Sequence, residues 1–328
     1  MANECPLVSV IIPVHPAKTE AKAAAAARQL DYPRDKLEII VVRSTDLATL
    51  PSMKRNAAIK AARGELIYFL DDDSIPQPGN LRCAVSHFSD PAVKMVGGPN
   101  VCPPDAPVLE QTFAQVMGSW LAFGPSCARY RAVGGLRESG EKELISCNLV
   151  ARRDALLGSG GFDEAMYPNE ENALMDEIQK RGKLLYDPAM IVYRHPRSTF
   201  KSFAKMLFFY GRGRAEQFRL HPSFASALNF VPPAFCLYLL ALAVISFFPN
   251  SGLLPWGLLP LLLYGVAVAA QSASIAFRTN FLTGLRVLPF IVLTHLLYGS
   301  GIWRGMFSKI APLKPGGATD IRLETVPV

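Results

Sequence analysis

The sequence has few cysteines, and none are spaced as disulfide frameworks or zinc sites require. No two of the six form a C-x-x-C pair. We therefore expect free thiols in a reducing compartment, and neither a structural zinc site nor a disulfide scaffold. The cysteines are Cys5, Cys83, Cys102, Cys127, Cys147 and Cys236.

Charged residues are absent from positions 222–277. Such a run accommodates two membrane spans of about 20 residues each, which we place near 228–248 and 253–277. A third apolar segment, 287–303, is barely long enough and is interrupted by proline and glycine. It is predicted to be a re-entrant or interfacial element, or a further span.

Cations outnumber anions, giving a formal net charge of +7. They cluster within 194–219 and after 278, beside apolar segments, which favours a membrane surface over nucleic acid. Residues 199–220 combine phenylalanines with lysines and arginines, as in helices of the membrane interface. A helix packed on a globular domain is the alternative. The positive-inside rule places the region before these segments, and the tail, in the cytoplasm. No signal peptide is expected, since no charged segment precedes the first apolar run.

Strand-like and helical segments alternate at the beginning of the chain. We predict strands at 7–13, 37–42 and 66–70, with helices at 19–30 and 52–63. This order implies an α/β domain with a mostly parallel sheet and right-handed crossovers. Ligands of such sheets bind beyond the carboxyl ends of the strands, where Pro13 and Arg43 fall.

The third predicted strand ends in Asp71, Asp72 and Asp73. Side-chain alternation directs Asp71 and Asp73 to one face and Asp72 to the other. Adjacent carboxylates repel one another without a cation, and oxygen ligands of this kind suit Mg²⁺ or Mn²⁺. A solvated acidic turn is the alternative, but the position at the ligand-binding edge favours a metal site.

The middle of the chain has fewer distinct signals. We expect a helix and strand within 80–96, and a loop-rich lid or acceptor-binding insertion over 99–142. Glu170 and Glu171 open a helix that ends near position 181, and residues 184–193 are strand-like. Acidic residues at a helix N-terminus are alternatively only partners of the helix dipole.

Eight short segments follow one another along the chain: VSVIIP (8–13), KRNA (54–57), ARGE (62–65), FLDDD (69–73), GGFD (160–163), NEEN (169–172), HPRS (195–198) and YGRGR (210–214). Taken in order, these segments resemble the family 2 glycosyltransferases with the GT-A fold. The similarity covers roughly residues 7–215, and the membrane-anchored members that build bacterial polysaccharides and lipid-linked glycans have the closest layout.

The resemblance implies inverting, metal-dependent transfer of a sugar from a nucleotide-diphosphate sugar to an acceptor hydroxyl. By position, Asp71 contacts the nucleoside and Asp73, in a D-x-D-type motif, holds Mg²⁺ or Mn²⁺. Glu171 is the general base, with Glu170 as the other catalytic candidate. His195 is a further metal ligand or, alternatively, a structural histidine.

The nucleotide-sugar site implied by the resemblance also departs from the family pattern. The turn after the second strand, Arg43-Ser-Thr-Asp46, lacks the usual D-D-G-S-like sequence, and Asp46 is the candidate substitute. No Q-x-x-R-W motif is present, which argues against a processive, cellulose-synthase-like enzyme. The predicted nucleotide-sugar contacts are Pro13, Arg43, Asp46, Arg55, Asp71 and Asp72, and the predicted metal ligands are Asp73, Asp71 and His195.

We therefore predict a GT-A domain over 1–198, a basic interfacial helix over 199–221, and a membrane region with a cytoplasmic tail over 222–328. The expected location is the bacterial inner membrane, multi-pass, with the catalytic domain in the cytoplasm. The expected partners are the donor, a lipid-linked or other glycan acceptor and membrane lipids, without nucleic acid. A polyprenyl-phosphate sugar synthase is the sister alternative. A nucleotidyltransferase, which would carry a glycine-rich loop after the first strand, and a non-catalytic membrane scaffold are less favoured.

Overall fold

Three parallel strands form the centre of the main sheet: β1 (Val8–Pro13), β2 (Leu37–Arg43) and β3 (Leu66–Leu70). The structure is a computed structural model, and it describes residues 5–18, 21–166, 169–220, 222, 228–248, 252–309 and 320–328. Helix α1 (Lys22–Ala27) connects β1 to β2, and α2 (Pro51–Ala61) connects β2 to β3. The strand–helix alternation predicted from the sequence is therefore present. Residues 19 and 20, where the first helix is predicted to begin, lie outside the described residues.

Apolar side chains cover both faces of this sheet, which explains why its central strands are mostly apolar. Alternate residues of β3 enter opposite layers: Tyr68 packs with Val10 in one, and Phe69 packs with Ile11 in the other. All four side chains are fully buried. The central strands therefore have a fixed register, and the position where each one ends is fixed with it.

The other strands are β4 (Ile75–Pro76), β5 (Val93–Gly97), β6 (Asn100–Val101), β7 (Arg137–Ser139), β8 (Asn148–Arg152), β9 (Lys183–Tyr186), β10 (Val192–Tyr193) and β11 (Arg322–Val326). Among the described residues the main sheet is mixed, with eight strands in the order β11-β2-β1-β3-β8-β5-β9-β7. β3 pairs antiparallel with β8, β2 pairs antiparallel with β11, and β5 pairs parallel with β9. A second sheet has the order β4-β10-β6.

The chain divides into two compact units. The first comprises Met1–Pro103, Ala128–His195 and Pro312–Val328, and contains both sheets. Its other helices are α3 (Asn80–His87), α6 (Arg153–Gly158) and α7 (Glu170–Gln179).

The second unit comprises Pro104–Cys127 and Pro196–Ala311. Its described residues form α4 (Val108–Met117), α5 (Trp120–Phe123), α8 (Phe200–Leu220), α9 (Val231–Ile245), α10 (Leu254–Arg278) and α11 (Phe281–Phe307).

Helices α8 and α11 pack closely through small residues. A Cβ atom on Gly301 would collide with the carbonyl oxygen of Phe208, and one on Gly211 would collide with that of Tyr298. Glycine at these positions therefore lets the two helix backbones approach, as small residues do in membrane helix pairs. Helix α4 belongs to the same unit, where Phe113 stacks on Phe203 with ring centroids 4.0 Å apart.

In the part of the chain that the structure describes, three helical segments are long and apolar enough to cross a membrane: Leu228–Ile245, Leu254–Arg278 and Phe281–Phe307. The third is continuous through Pro289 and the two glycines that interrupt its sequence pattern. The exposed apolar surface of the three indicates membrane association. Residues 249–251, in the predicted turn between the first two, lie outside the described residues.

Several local predictions differ from the structure. The segment 99–142 is not uniformly loop-rich, because α4 occupies ten of its residues. The predicted strand 184–193 is divided into β9 and β10, since Pro188 and the turn at Asp187 separate them. The tail also forms β11, which was not among the predicted strands.

Candidate active site

The carboxylates after β3 lie at the carboxyl ends of the central strands, where one guanidinium joins two of them. Arg194 Nη1 lies 2.9 Å from Asp71 Oδ2, and Arg194 Nε lies 2.7 Å from Asp73 Oδ1. Asp71 and Asp73 thus face the same side, as strand alternation predicts. Arg194 directly follows β10, so the small sheet carries this guanidinium to the strand end.

Asp72 faces the loop that follows β1. Its Oδ2 accepts a hydrogen bond from His15 N at 3.0 Å, and its Oδ1 accepts one from Lys18 Nζ at 2.6 Å. Lys18 Nζ also lies 3.5 Å from Asp73 Oδ2. Asp72, predicted as a nucleotide contact, therefore fixes the conformation of this loop.

Arg55 connects the strand end to the acidic start of α7. Its Nη2 lies 2.8 Å from Asp71 Oδ1, and its Nη1 lies 3.8 Å from Glu170 Oε1. Burial alone would raise the pKa of Asp71, but the guanidiniums of Arg194 and Arg55 hold that pKa below its ordinary value. Asp71 is therefore ionised at neutral pH.

Asn56 joins two motifs that are far apart in the sequence. Its Oδ1 accepts a hydrogen bond from Phe162 N at 2.8 Å, and its Nδ2 donates one to Phe162 O, also at 2.8 Å. Gly161 has a φ of +81°, and a Cβ there would lie 2.6 Å from Asn56 Oδ1, so glycine is required. The pairing fixes the Phe162 ring, whose centroid lies 5.4 Å from the Arg55 guanidinium carbon.

Glu170 is buried at the start of α7, with 5% of its surface exposed. Its Oε2 has no hydrogen-bond partner among the described residues. Burial raises the pKa of Glu170 to about 7, with Arg55 opposing the shift and Glu171 adding to it. A buried carboxyl with an unsatisfied oxygen and a perturbed pKa is a candidate for ligand binding or proton transfer.

Glu171 is held by two donors and keeps contact with solvent. Its Oε2 accepts a hydrogen bond from Ser146 N at 3.0 Å, and its Oε1 lies 3.6 Å from Arg129 Nη1. Arg129 is itself fixed by a 2.7 Å hydrogen bond to Asn172 Oδ1. Because 18% of its side chain is exposed, Glu171 remains accessible from solvent.

A cavity of about 290 Å³ lies at the carboxyl ends of β1 and β2. Arg43 lines this cavity. Pro13 does not line it, but it is the last residue of β1 and directly precedes Val14, which does. The Asp46 carboxylate instead accepts a hydrogen bond from Ala48 N at 2.8 Å within the turn. The lining residues are Val14, His15, Pro16, Lys18, Arg43, Ser44, Thr45 and Arg322.

The ligand types at the strand end fit a hard divalent cation. Asp71 and Asp73 supply carboxylate oxygens, which Mg²⁺ and Mn²⁺ prefer, and the Asp73 side chain is 35% exposed. In this structure Arg194 and Lys18 neutralise these carboxylates. His195 is exposed and follows Arg194 in the chain.

Sequence reasoning overlooked the cations that organise these carboxylates, namely Lys18, Arg129 and Arg194. Arg194 directly precedes the predicted ligand His195 in the sequence. This adjacency was the one signal that could have indicated a role for Arg194 at the site. Lys18 and Arg129 lie in segments without a recognised pattern, and only the fold brings them to the acidic residues.

The family profile described as "Glycosyltransferase like family 2" matches residues 1–206. The succinoglycan biosynthesis protein ExoA of Rhizobium meliloti is 28% identical over 199 residues, covering 60% of this chain and 56% of that protein. A pre-mycofactocin glycosyltransferase of Mycobacterium tuberculosis is 27% identical over 184 residues, covering 52% of this chain and 36% of its own length. The matched region thus spans less than two thirds of either relative.

Two further comparisons cover more of the chain. The glycosyltransferase AglE of Haloferax volcanii is 26% identical over 249 residues, 67% of this chain and 77% of that protein. The solved mannosyltransferase PcManGT of Pyrobaculum calidifontis, in complex with GDP-Man and Mn²⁺, superposes with a TM-score of 0.58 at 18% identity. It covers 93% of this chain and 88% of its own, which identifies the fold as GT-A. The protein belongs to the glycosyltransferase-like family 2.

Proposed function

We propose that this enzyme transfers a sugar, with inversion and with a divalent cation, to a hydroxyl of a lipid-linked or membrane-proximal glycan. The observation that carries the proposal is one network of charged contacts. It runs from Asp73 through Arg194, Asp71 and Arg55 to Glu170. It therefore links the carboxylates at the strand end to the acidic pair that begins α7.

The donor would lie along the carboxyl ends of the central strands. The cavity at β1 and β2 would hold the nucleoside, and the diphosphate would face Asp71 and Asp73. Asp73 would hold Mg²⁺ or Mn²⁺, with Asp71 and His195 as further ligands. A bound divalent cation would neutralise charge on the diphosphate as it leaves. Arg194 and Lys18 already place positive charge beside the same carboxylates.

In the proposed transfer step, Glu171 is the general base. Its carboxylate would take the proton of the acceptor hydroxyl while that oxygen attacks the anomeric carbon. The bond between the anomeric carbon and the phosphate oxygen breaks, and the electron pair leaves with the nucleoside diphosphate. A single displacement inverts the anomeric configuration. Glu170, buried against Arg55, would contact the donor sugar through its unsatisfied oxygen.

A membrane-proximal acceptor fits the composition of the second unit. Its three long apolar helices and the cations of α8 suit a bilayer and its surface. Relatives in this family include a protein of succinoglycan biosynthesis, which supports a glycan product. We therefore place the enzyme in the bacterial inner membrane, with its active site facing the cytoplasmic nucleotide sugars.

The direct test is nucleoside diphosphate release from UDP-, GDP- and dTDP-sugars by membranes that contain the protein. Lipid extract supplies acceptors, and parallel reactions contain Mn²⁺ or EDTA. We expect release from one donor in Mn²⁺ and its loss in EDTA, with the inverted anomer in the product by NMR. Release that is equal in EDTA would contradict the metal requirement, and a retained anomer would contradict the single displacement.

The role of Glu171 distinguishes a hydroxyl acceptor from a polyprenyl-phosphate acceptor. A hydroxyl needs a base, so Glu171→Gln should lower kcat by about 10²-fold or more while the donor still binds. The matched control is Glu177→Gln, an exposed glutamate of the same helix, which should retain activity. Normal turnover by Glu171→Gln would favour a phosphate acceptor, which attacks without a strong base.

A further inference from the structure

The C-terminal tail contributes a strand to the edge of the catalytic sheet. β11 pairs antiparallel with β2 along five residues, from Arg322 opposite Arg43 to Val326 opposite Ile39. Because β2 ends at Arg43, the first residue of β11 lies at the carboxyl edge of the sheet, where the donor cavity is. The tail therefore brings Arg322 to this edge from almost 280 residues farther along the chain.

The strand is fixed at both of its ends. Ile321, just before it, packs against the core layer on one face of the sheet, and Val326 packs against the layer on the other. Arg28 Nε donates a hydrogen bond to Pro327 O at 3.0 Å. Arg43 Nε also lies 3.5 Å from Glu324 Oε2. These contacts on separate elements hold β11 in a single register.

Asp320 fixes two groups of the cavity wall. Its Oδ2 accepts hydrogen bonds from Thr45 N at 3.2 Å and from Thr45 Oγ1. Its Oδ1 accepts one from Arg322 Nε at 3.2 Å. Both Thr45 and Arg322 line the cavity. The carboxylate beside the turn after β2 thus comes from the tail, whereas the carboxylate of Asp46 closes its own turn.

We propose that the C-terminal strand forms the nucleoside-recognition wall of the donor site. Arg322 donates hydrogen bonds to carbonyl oxygens of the donor base, and Asp320 positions Arg322. The inference rests on the proposed donor site, because it takes the cavity at β1 and β2 as the nucleoside pocket.

The chemistry of arginine limits which bases fit this wall. A guanidinium only donates hydrogen bonds, so it requires acceptor atoms on the base. Guanine and thymine expose carbonyl oxygens, as uracil does, whereas the corresponding position of adenine carries an amino donor. The site should therefore favour a uridine, thymidine or guanosine diphosphate over adenosine diphosphate.

The test uses the full chain in detergent with Mn²⁺, titrated calorimetrically with UDP, GDP, dTDP, ADP and inorganic pyrophosphate. Arg322→Ala should weaken the tightest-binding nucleoside diphosphate about tenfold or more, which corresponds to ~1.4 kcal/mol. Pyrophosphate affinity should not change, since it has no base. The matched control is Arg82→Ala, another exposed arginine paired with an aspartate, Asp31, and it should bind as the wild type does.

Asp320→Asn separates positioning from a general structural role. It should raise the donor KM and leave kcat and pyrophosphate affinity unchanged, whereas damage to the fold would also lower kcat and pyrophosphate affinity. Thermal unfolding of each variant checks that it is folded.

Three outcomes overturn the inference: wild-type affinity in Arg322→Ala, an equal loss of pyrophosphate binding in that variant, or a wild-type preference for ADP. Sugar transfer is scored separately by nucleoside diphosphate release. If sugar transfer occurs but does not depend on Arg322, the nucleoside-recognition wall is refuted and the proposed transfer is not. Base-selective binding without release from any sugar refutes the proposed transfer alone.

Discussion

Replacing Glu170 with glutamine should stabilise the protein, and the gain should grow with pH. The pKa of Glu170 is about 7 in the folded chain and 4.5 in its ordinary state. Below pH 4.5 the carboxyl is protonated in both states and contributes no difference. Between 4.5 and about 7 the folded state binds more protons than the unfolded state, so stability falls as pH rises. Above 7 the folded chain contains a buried ionised carboxylate.

The size of the effect follows from that difference. The shift of 7 − 4.5, about 2.5 units, corresponds to ~3 kcal/mol at ~1.36 kcal/mol per unit. Glutamine keeps the shape of the side chain and removes its charge. We therefore expect Glu170→Gln to exceed the wild type by up to ~3 kcal/mol at pH 8.5, and by under ~1 kcal/mol at pH 5.

Thermal unfolding of the full chain in detergent at several pH values measures this difference. A gain of that size would raise Tm by up to ~5 °C at pH 8.5. Glu177→Gln is the control, because Glu177 is exposed and its pKa is lowered by its hydrogen bond to Lys180. Its effect should stay constant above pH 5. A Tm difference for Glu170→Gln that is equally constant would show that the carboxyl is not held protonated by burial, and the reasoning would fail.

Two further substitutions test the donor edge and the helix packing. Arg194→Ala removes the guanidinium shared by Asp71 and Asp73, so the donor KM should rise about tenfold or more while the protein stays folded; an unchanged KM would exclude Arg194 from the donor site. Gly301→Leu should lower Tm because its side chain would collide with the α8 backbone, whereas Gly265→Leu, at a position with open space, should have little effect; equal Tm values for the two variants would argue against the close helix contact.

The centre of the fold could be predicted because its signals are local. Runs rich in β-branched residues define β1 and β2, an apolar run defines β3, and the change from Leu70 to Asp71 marks where a strand must end. The acidic start of α7 is equally visible in the sequence. Both sets of carboxylates are therefore accessible to sequence reasoning.

The partners of these carboxylates could not be predicted because they depend on long-range pairing. Arg194 reaches Asp73 through the small sheet, and Arg129 reaches Glu171 from a segment without a periodic pattern. β11 is only five residues long and follows a long apolar region, so the sequence indicates a tail. That this segment forms a strand becomes clear only from the fold, because β2 has an edge whose backbone groups are free to pair with it.

The ladder between β2 and β11 also restricts how the chain can be threaded through a bilayer. Two strands joined by backbone hydrogen bonds must lie in the same aqueous compartment, so the chain between them crosses the membrane an even number of times. Three crossings, one for each long apolar helix, are therefore excluded. We expect α9 and α10 to form a transmembrane hairpin. We expect α11 to remain at the surface beside the basic helix α8, against which it packs at Gly301.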